Sequence, residues 1–317
     1  MFRLTLRPLK QNRAIWGTRR YAKGSALGID ASVENNLQTE TNRVSKTLQK
    51  FWKVVSARES GGNVTLTLDN KPIRTPLGNS LTVPKDRQFL ALVLQNEWSN
   101  LTTLSIKPHT LPVTSIVSRC IDLEYVSTPN ADGELVAKIG GDRKQIAQTL
   151  LRYLDTDTLL CLSPKAEYEG ALRAAQDKLY LPVIKSAETF LSKFAEEPVA
   201  IQVLDADIHG MRGNSQLEPT RAAALKYIDS LSMWDLAVFE KTVLTTKSFI
   251  CGLLLLQNKC QVPKTEMPIT MEQIAQCATL EIIYQTERWG EVEDTHDVDH
   301  RDIRRNVNAA CIVAYQE

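Results

Sequence analysis

One stretch limits what this chain can fold into. Leu231–Asn258 reads LSMWDLAVFEKTVLTTKSFICGLLLLQN and is the densest apolar sequence in the protein. Trp234, Ala237, Val238, Lys241, Thr242 and Thr245 follow the spacing of one helix face. Lys247 and Ser248 then open an almost unbroken apolar run of eight residues, Phe249 to Leu256. That run is far shorter than the roughly 20 residues that span a bilayer. A helix apolar on nearly every side must be buried on nearly every side. The spacing therefore predicts a helix over Ser248–Gln257 at the centre of a helical domain, with the other C-terminal helices packed around it. Gly252 lets a neighbour approach that helix closely, at about 1 kcal/mol of helix propensity. A second reading makes Thr245, Thr246, Lys247 and Ser248 a polar helix start presented to a partner.

Charge is uneven along the 317 residues. Residues 1–29 hold Arg3, Arg7, Lys10, Arg13, Arg19, Arg20 and Lys23 and no acid. The remainder carries 31 basic against 37 acidic residues, a net of −6. A mildly acidic body argues against nucleic acid as a partner, because phosphate binding needs a basic face. The acid-free leader, with Phe2, Leu4, Leu6, Leu9, Ile15 and Trp16 among its arginines, suits a mitochondrial transit peptide over residues 1–23. Arg19-Arg20-Tyr21 resembles a matrix-processing site and predicts a mature chain beginning near Ala22. Residues 24–46 read as a polar linker. The six cysteines, at 120, 161, 251, 260, 277 and 311, show no CxxC spacing and read as reduced thiols, several on apolar helix faces.

A length of 317 residues suits two domains. Phe51–Ser56, Val64–Leu68, Ile73–Thr75 and Leu81–Val83 are strand candidates, separated by Gly61-Gly62-Asn63, Asp69-Asn70 and Pro76-Leu77-Gly78-Asn79. They predict a small antiparallel sheet. Helices are expected at Lys85–Asn100, with Phe89, Leu92, Val93 and Asn96 on one stripe, at Thr114–Val126 and at Asp142–Leu154. Strand signals then mostly stop. Helices follow at about 168–180, 183–195, 218–230, 232–244, 247–257, 271–288 and 301–315. The fold class is α+β: a β-rich N-terminal domain over 47–165 and an all-helical C-terminal domain over 166–317.

Chemical motifs are sparse. Asp155 and Asp157 could divide acid and base roles if they shared a strand face. Their flanking threonines suit instead a turn at a domain junction, with the carboxylates satisfying backbone amides. Gly140-Gly141-Asp142 places Asp142 as a helix N-cap. The sequence has no Walker A and no GxGxxG pattern. His296 and His300, beside Asp294, Asp297 and Asp299, have metal-ligand spacing but read as part of an acidic solvated loop. The richest surface candidate is Gln273–Asp299. Ile274, Ala278, Glu281, Gln285 and Arg288 form a stripe that begins apolar and turns polar, and Trp289-Gly290 ends the helix. It is either an amphipathic packing helix or an acidic, tryptophan-anchored patch for a partner.

Four blocks carry a resemblance: LDNKPIRTPLGNSLTVP (68–84), YLDTDTLLC (153–161), TTKSFICGLLLLQN (245–258) and LEIIYQTERWGEVEDTHDVDH (280–300). In this order they resemble the mitochondrial ATP synthase assembly chaperones that bind the alpha subunit of the catalytic head, in their fungal branch. The resemblance implies a two-domain chaperone of the mitochondrial matrix, without catalysis or cofactor. It implies binding of unassembled alpha subunit, released when the beta subunit takes its place in the hexamer. Glu281, Gln285, Glu287, Trp289 and Gly290 match the terminal block, and Asp155 and Asp157 the junction block. The expected client-binding set is Glu281, Gln285, Glu287, Arg288 and Trp289, on a chain expected to be a monomer with no metal site. Two readings from other classes compete: a matrix hydrolase using Asp155 and Asp157, and a structural subunit of a mitochondrial complex.

Overall fold

Val64–Leu68 alternates in the way that half-buries a strand, and two turns with left-handed backbone fold its neighbours back on it. The computed structural model describes residues 50–101, 110–128, 132–210, 212–259, 267–291 and 296–316. The expected transit and linker segments, Cys260 and residues 292–295 lie outside them. β1 (Val55–Ser60) pairs antiparallel with β2 (Asn63–Leu68), Val55 opposite Leu68 and Ser60 opposite Asn63. Gly61 and Gly62 turn the hairpin at φ 59° and 82°, backbone that glycine adopts without a Cβ clash. Asp69 and Asn70 make the second left-handed turn into β3 (Lys71–Pro72), and β4 (Thr82–Pro84) also pairs with β2. The sheet is thus the expected small antiparallel one, with its strands displaced by a few residues.

α1 (Gln88–Ser99) lies against this sheet. It buries Leu90, Ala91, Leu94 and Trp98, whereas Phe89 and Leu92 of the expected stripe are exposed. QFLALVLQNEWS is apolar on two faces, so periodicity alone does not choose which faces inward. α2 (Pro112–Val126) opens on Glu97, whose carboxylate accepts from the Val113 and Thr114 amides at 2.9 and 2.8 Å. Buried Asp122 of α2 accepts from Thr75 Oγ1 at 2.6 Å and Asn79 Nδ2 at 2.8 Å, tying the sheet's loop to the helices.

α3 (Gly133–Lys138) and α4 (Arg143–Asp155) follow, the latter with Asp142 and Gln145 in a reciprocal capping box. β5 (Cys161–Leu162) pairs parallel with β6 (Leu204–Asp205), a two-strand element absent from the sequence reading. Between them runs α5 (Ala171–Leu191), one helix where two were expected. Pro182 lies inside it and removes one backbone donor. Tyr180, Val183, Ile184 and Ala187 are buried on either side, and that burial holds the helix through the proline. α6 (Ala206–His209), α7 (Glu218–Ser230), α8 (Met233–Thr246), α9 (Phe249–Gln257), α10 (Met271–Trp289) and α11 (His296–Ala314) complete the chain. α11 begins earlier than expected, so His296 to His300 belong to a helix rather than to a solvated loop. Among the described residues no cluster of potential metal ligands is found.

α9 is buried at every position and packs on α8, α10, α4, α5 and α11. A Cβ on Gly252 would lie 2.7 Å from Val243 Cγ2 and 2.9 Å from the Phe239 ring, which is the close approach its sequence implies. Thr246 and Ser248 are buried too. Thr246 Oγ1 donates to Thr242 O at 2.8 Å and Ser248 Oγ accepts from Cys251 N at 3.0 Å. Half of the polar start of this helix, Thr246 and Ser248, therefore turns inward, while Thr245 and Lys247 stay half-buried. α2 packs on α8 and α11, with Arg119 and Glu240 joined by two 2.8 Å bonds, so sheet, α1 and the later helices share one continuous buried cluster. Among the described residues no helix is long and apolar enough to cross a membrane.

Candidate functional site

The two junction aspartates do not form a pair. Asp155 is the last residue of α4; its carboxylate accepts from the Gln216 amide at 2.8 Å and pairs with Arg221 of α7. Asp157 caps a short turn at Thr158–Leu160 and is fully buried. One of its oxygens accepts from Leu159 N and the other from Ile250 N, both at 2.9 Å. Burial pushes this carboxyl up to about 6, against the pull of the amides that it accepts from. Helix end and turn replace the strand that would have put both carboxylates on one face, and each now fills a structural role.

The end of α10 is different. Thr270 and Gln273 cap its start reciprocally, and its first half buries Ile274, Ala275, Cys277, Thr279 and Leu280. From Glu281 onward no residue of the helix is buried. Glu281, Glu287, Arg288 and Trp289 are exposed and Gln285 is half-buried. Gln285 Nε2 donates to Glu281 Oε1 at 3.1 Å. Trp289 keeps 70% of its surface in solvent, a large apolar exposure for a tryptophan. Gly290, at φ 84°, stops the helix directly after it.

The structure adds a residue that sequence reasoning missed. Tyr168 lies in the turn Glu167–Gly170 that precedes α5, where Tyr168 and Glu169 both adopt left-handed backbone, at φ 50° and 55°. For residues with a Cβ such backbone costs on the order of 1–3 kcal/mol each. Ring contacts offset part of that cost. Tyr168 meets Tyr284 edge-on at 6.0 Å and Trp289 at 5.7 Å between centroids. The Arg288 guanidinium stands 5.3 Å from the Tyr168 ring and 5.7 Å from the Trp289 ring. Burial first, then the carboxylates of Glu167 and Glu281, push the Tyr168 phenol up. The signal available in the sequence was Glu-Tyr-Glu-Gly, a polar turn ahead of a helix, which says nothing about which distant ring it meets.

The fold is α+β, with a solvent-facing aromatic end on a late helix. Residues 49–188 match the family model described as ATP12 chaperone protein. The chain is 55% identical over 296 residues to the protein ATP12, mitochondrial, of Saccharomyces cerevisiae, covering 92% of this chain and 91% of that protein. It is 33% identical over 267 residues to the protein atp12, mitochondrial, of Schizosaccharomyces pombe, covering 84% and 82%. Atp12 from Paracoccus denitrificans shares the fold, with a TM-score of 0.59, 22% identity, and 84% of this chain and 99% of that one covered. The chain belongs to the ATP12 chaperone family. Both fungal relatives are mitochondrial by name, and mitochondrial localisation is the assignment for this chain too.

Proposed function

We propose that this chain is a chaperone of the mitochondrial matrix that binds unassembled ATP synthase alpha subunit, prevents its aggregation and hands it over for assembly of the alpha–beta hexamer. Kinship with the yeast ATP12 protein along nine-tenths of both chains is the observation that carries this reading. An unassembled subunit exposes apolar surface that its neighbours later cover, and such surface aggregates. A chaperone shields it by offering a replacement face with an apolar centre and a polar rim. The exposed end of α10 has that form, with Trp289 at its centre and Glu281, Gln285, Glu287 and Arg288 around it. The chaperone acts as a monomer, without cofactor or catalysis. Residues 1–23 serve as its transit peptide and 24–46 as its linker, ahead of a β-rich part over 47–165 and a helical part over 166–317.

Affinity capture from mitochondrial matrix, with identification of the bound polypeptides, tests the reading. Transient capture of the alpha subunit alone is the expected result. Permanent co-purification with the mature complex would make the chain a structural subunit instead. Turnover of a matrix substrate that is lost in Asp155→Asn would make it a hydrolase.

A further inference from the structure

We propose that the Glu167–Gly170 turn and the end of α10 form one docking surface, and that its occupant is a client segment carrying an apolar side chain bracketed by lysines or arginines. The inference rests on the chaperone reading and adds both a second element to the surface and the chemistry of what it takes. Two observations carry it. First, the rings of Tyr168 and Trp289 touch across two segments more than a hundred residues apart, and Trp289 is still largely in solvent. An apolar side chain laid against these rings would cover the exposed part of Trp289 that the chain's own packing leaves open. Second, the rim is acidic. Glu167 and Glu169 are exposed on the turn, and Glu281, Glu287 and Glu291 are exposed on or just beyond the helix. Arg288 places its charge over the two rings. Only Lys165 stands beside it against five carboxylates among the exposed residues of these two segments. A face of that sign attracts a basic segment and repels an acidic one. Tyr168 and Glu169 adopt left-handed backbone where the Tyr168 ring meets Trp289, so the turn is part of the surface and not merely a connection.

The test uses the full chain and two labelled synthetic peptides, each a phenylalanine–leucine pair flanked by two lysines or by two glutamates on either side. Binding is read by fluorescence anisotropy at low and at moderate salt. The lysine-flanked peptide should bind at least tenfold more tightly than the glutamate-flanked one, and added salt should weaken it. Tyr168→Ala should lose at least tenfold of that affinity, and Tyr168→Phe should keep it. Glu167→Lys with Glu169→Lys alters exposed positions, should melt as the wild type does, and should lose the preference. No preference in the wild type, or equal binding by the double variant, would overturn the proposal. Self-association of the wild type that Tyr168→Ala abolishes would overturn it as well, by giving the face to a second copy of this chain. Solubility of the alpha subunit, measured alongside, separates the two claims. If every variant keeps the subunit soluble and no peptide preference exists, this surface fails while the chaperone reading stands. If the peptide results hold and the subunit is not retained, the surface stands and its client is another basic polypeptide.

Discussion

Gly252 shows how much one position can decide. Its Cα faces Val243 and Phe239 so closely that a methyl group has no room. Gly252→Ala should destabilise the protein by about 1–3 kcal/mol despite the better helix propensity of alanine, and Val243→Ala in the same chain should restore part of the loss. Leu254→Asp places an unpaired charge in the core and should cost at least about 2 kcal/mol. Denaturant midpoints check both, and near-normal midpoints would mean that α9 is not the buried centre described above. Asp157 sets a pH dependence. Its carboxyl sits at about 6 when folded, above its usual range. A group held protonated by the folded state contributes stability fully at pH values below its unfolded pKa. That contribution is lost as pH rises through the folded value. Melting between about pH 4 and pH 7 should therefore shift the balance from wild type toward Asp157→Asn as pH rises; a gap that does not vary with pH would contradict the assignment. Gly252 was legible in the sequence because a glycine in an all-apolar helix implies a close neighbour. The partner of Asp157 was not, because Ile250 N lies 93 residues further along the chain.

At the scale of elements, the pairing of α2 with α8 is the clearest case. Arg119 and Glu240 are nearly buried, with side-chain exposures of 13% and 8%. Glu240→Ala leaves the guanidinium buried with its carboxylate partner removed and should cost about 3–5 kcal/mol. Thermal unfolding of the double variant Arg119→Met, Glu240→Leu should recover most of that loss, since two apolar groups leave no charge behind. If the single variant melts normally, the pair does not hold these helices together. Helices were legible where one face alone was apolar, as in the first half of α10. They were ambiguous where apolar residues lay on two faces, as in α1. The two helices expected at about 168–180 and 183–195 are one, because the burial of Tyr180 and Val183 that offsets the cost of Pro182 depends on distant elements. The β5–β6 pairing escaped for a related reason: two residues per strand are too few to show a period.

For the whole molecule, the four blocks carried more than the periodicity did: they pointed to the chaperone family, which neither composition nor helix spacing identifies. The α+β class was legible from turn spacing in the first third and helix spacing beyond it. The exposed end of α10 was legible as a stripe that turns polar, but its contact with the Tyr168 ring depends on how the chain folds back. Import gives one test at this scale: the matrix form should begin near Ala22 if residues 1–23 are a transit peptide, and N-terminal sequencing that finds Met1 intact would contradict it. Capture of the client on the end of α10 is read out by the solubility of newly made alpha subunit in the presence of wild type, Glu281→Lys or Trp289→Ala, with each chaperone's own melting curve recorded in parallel. The wild type should keep the subunit soluble, and both variants should melt near the wild-type temperature yet hold much less of it, with the charge reversal acting more strongly if the facing client surface is basic. Variants that melt normally and keep the subunit soluble at equal stoichiometry would contradict the placement of the client on this surface, and a wild type that fails to keep it soluble would contradict the chaperone reading itself.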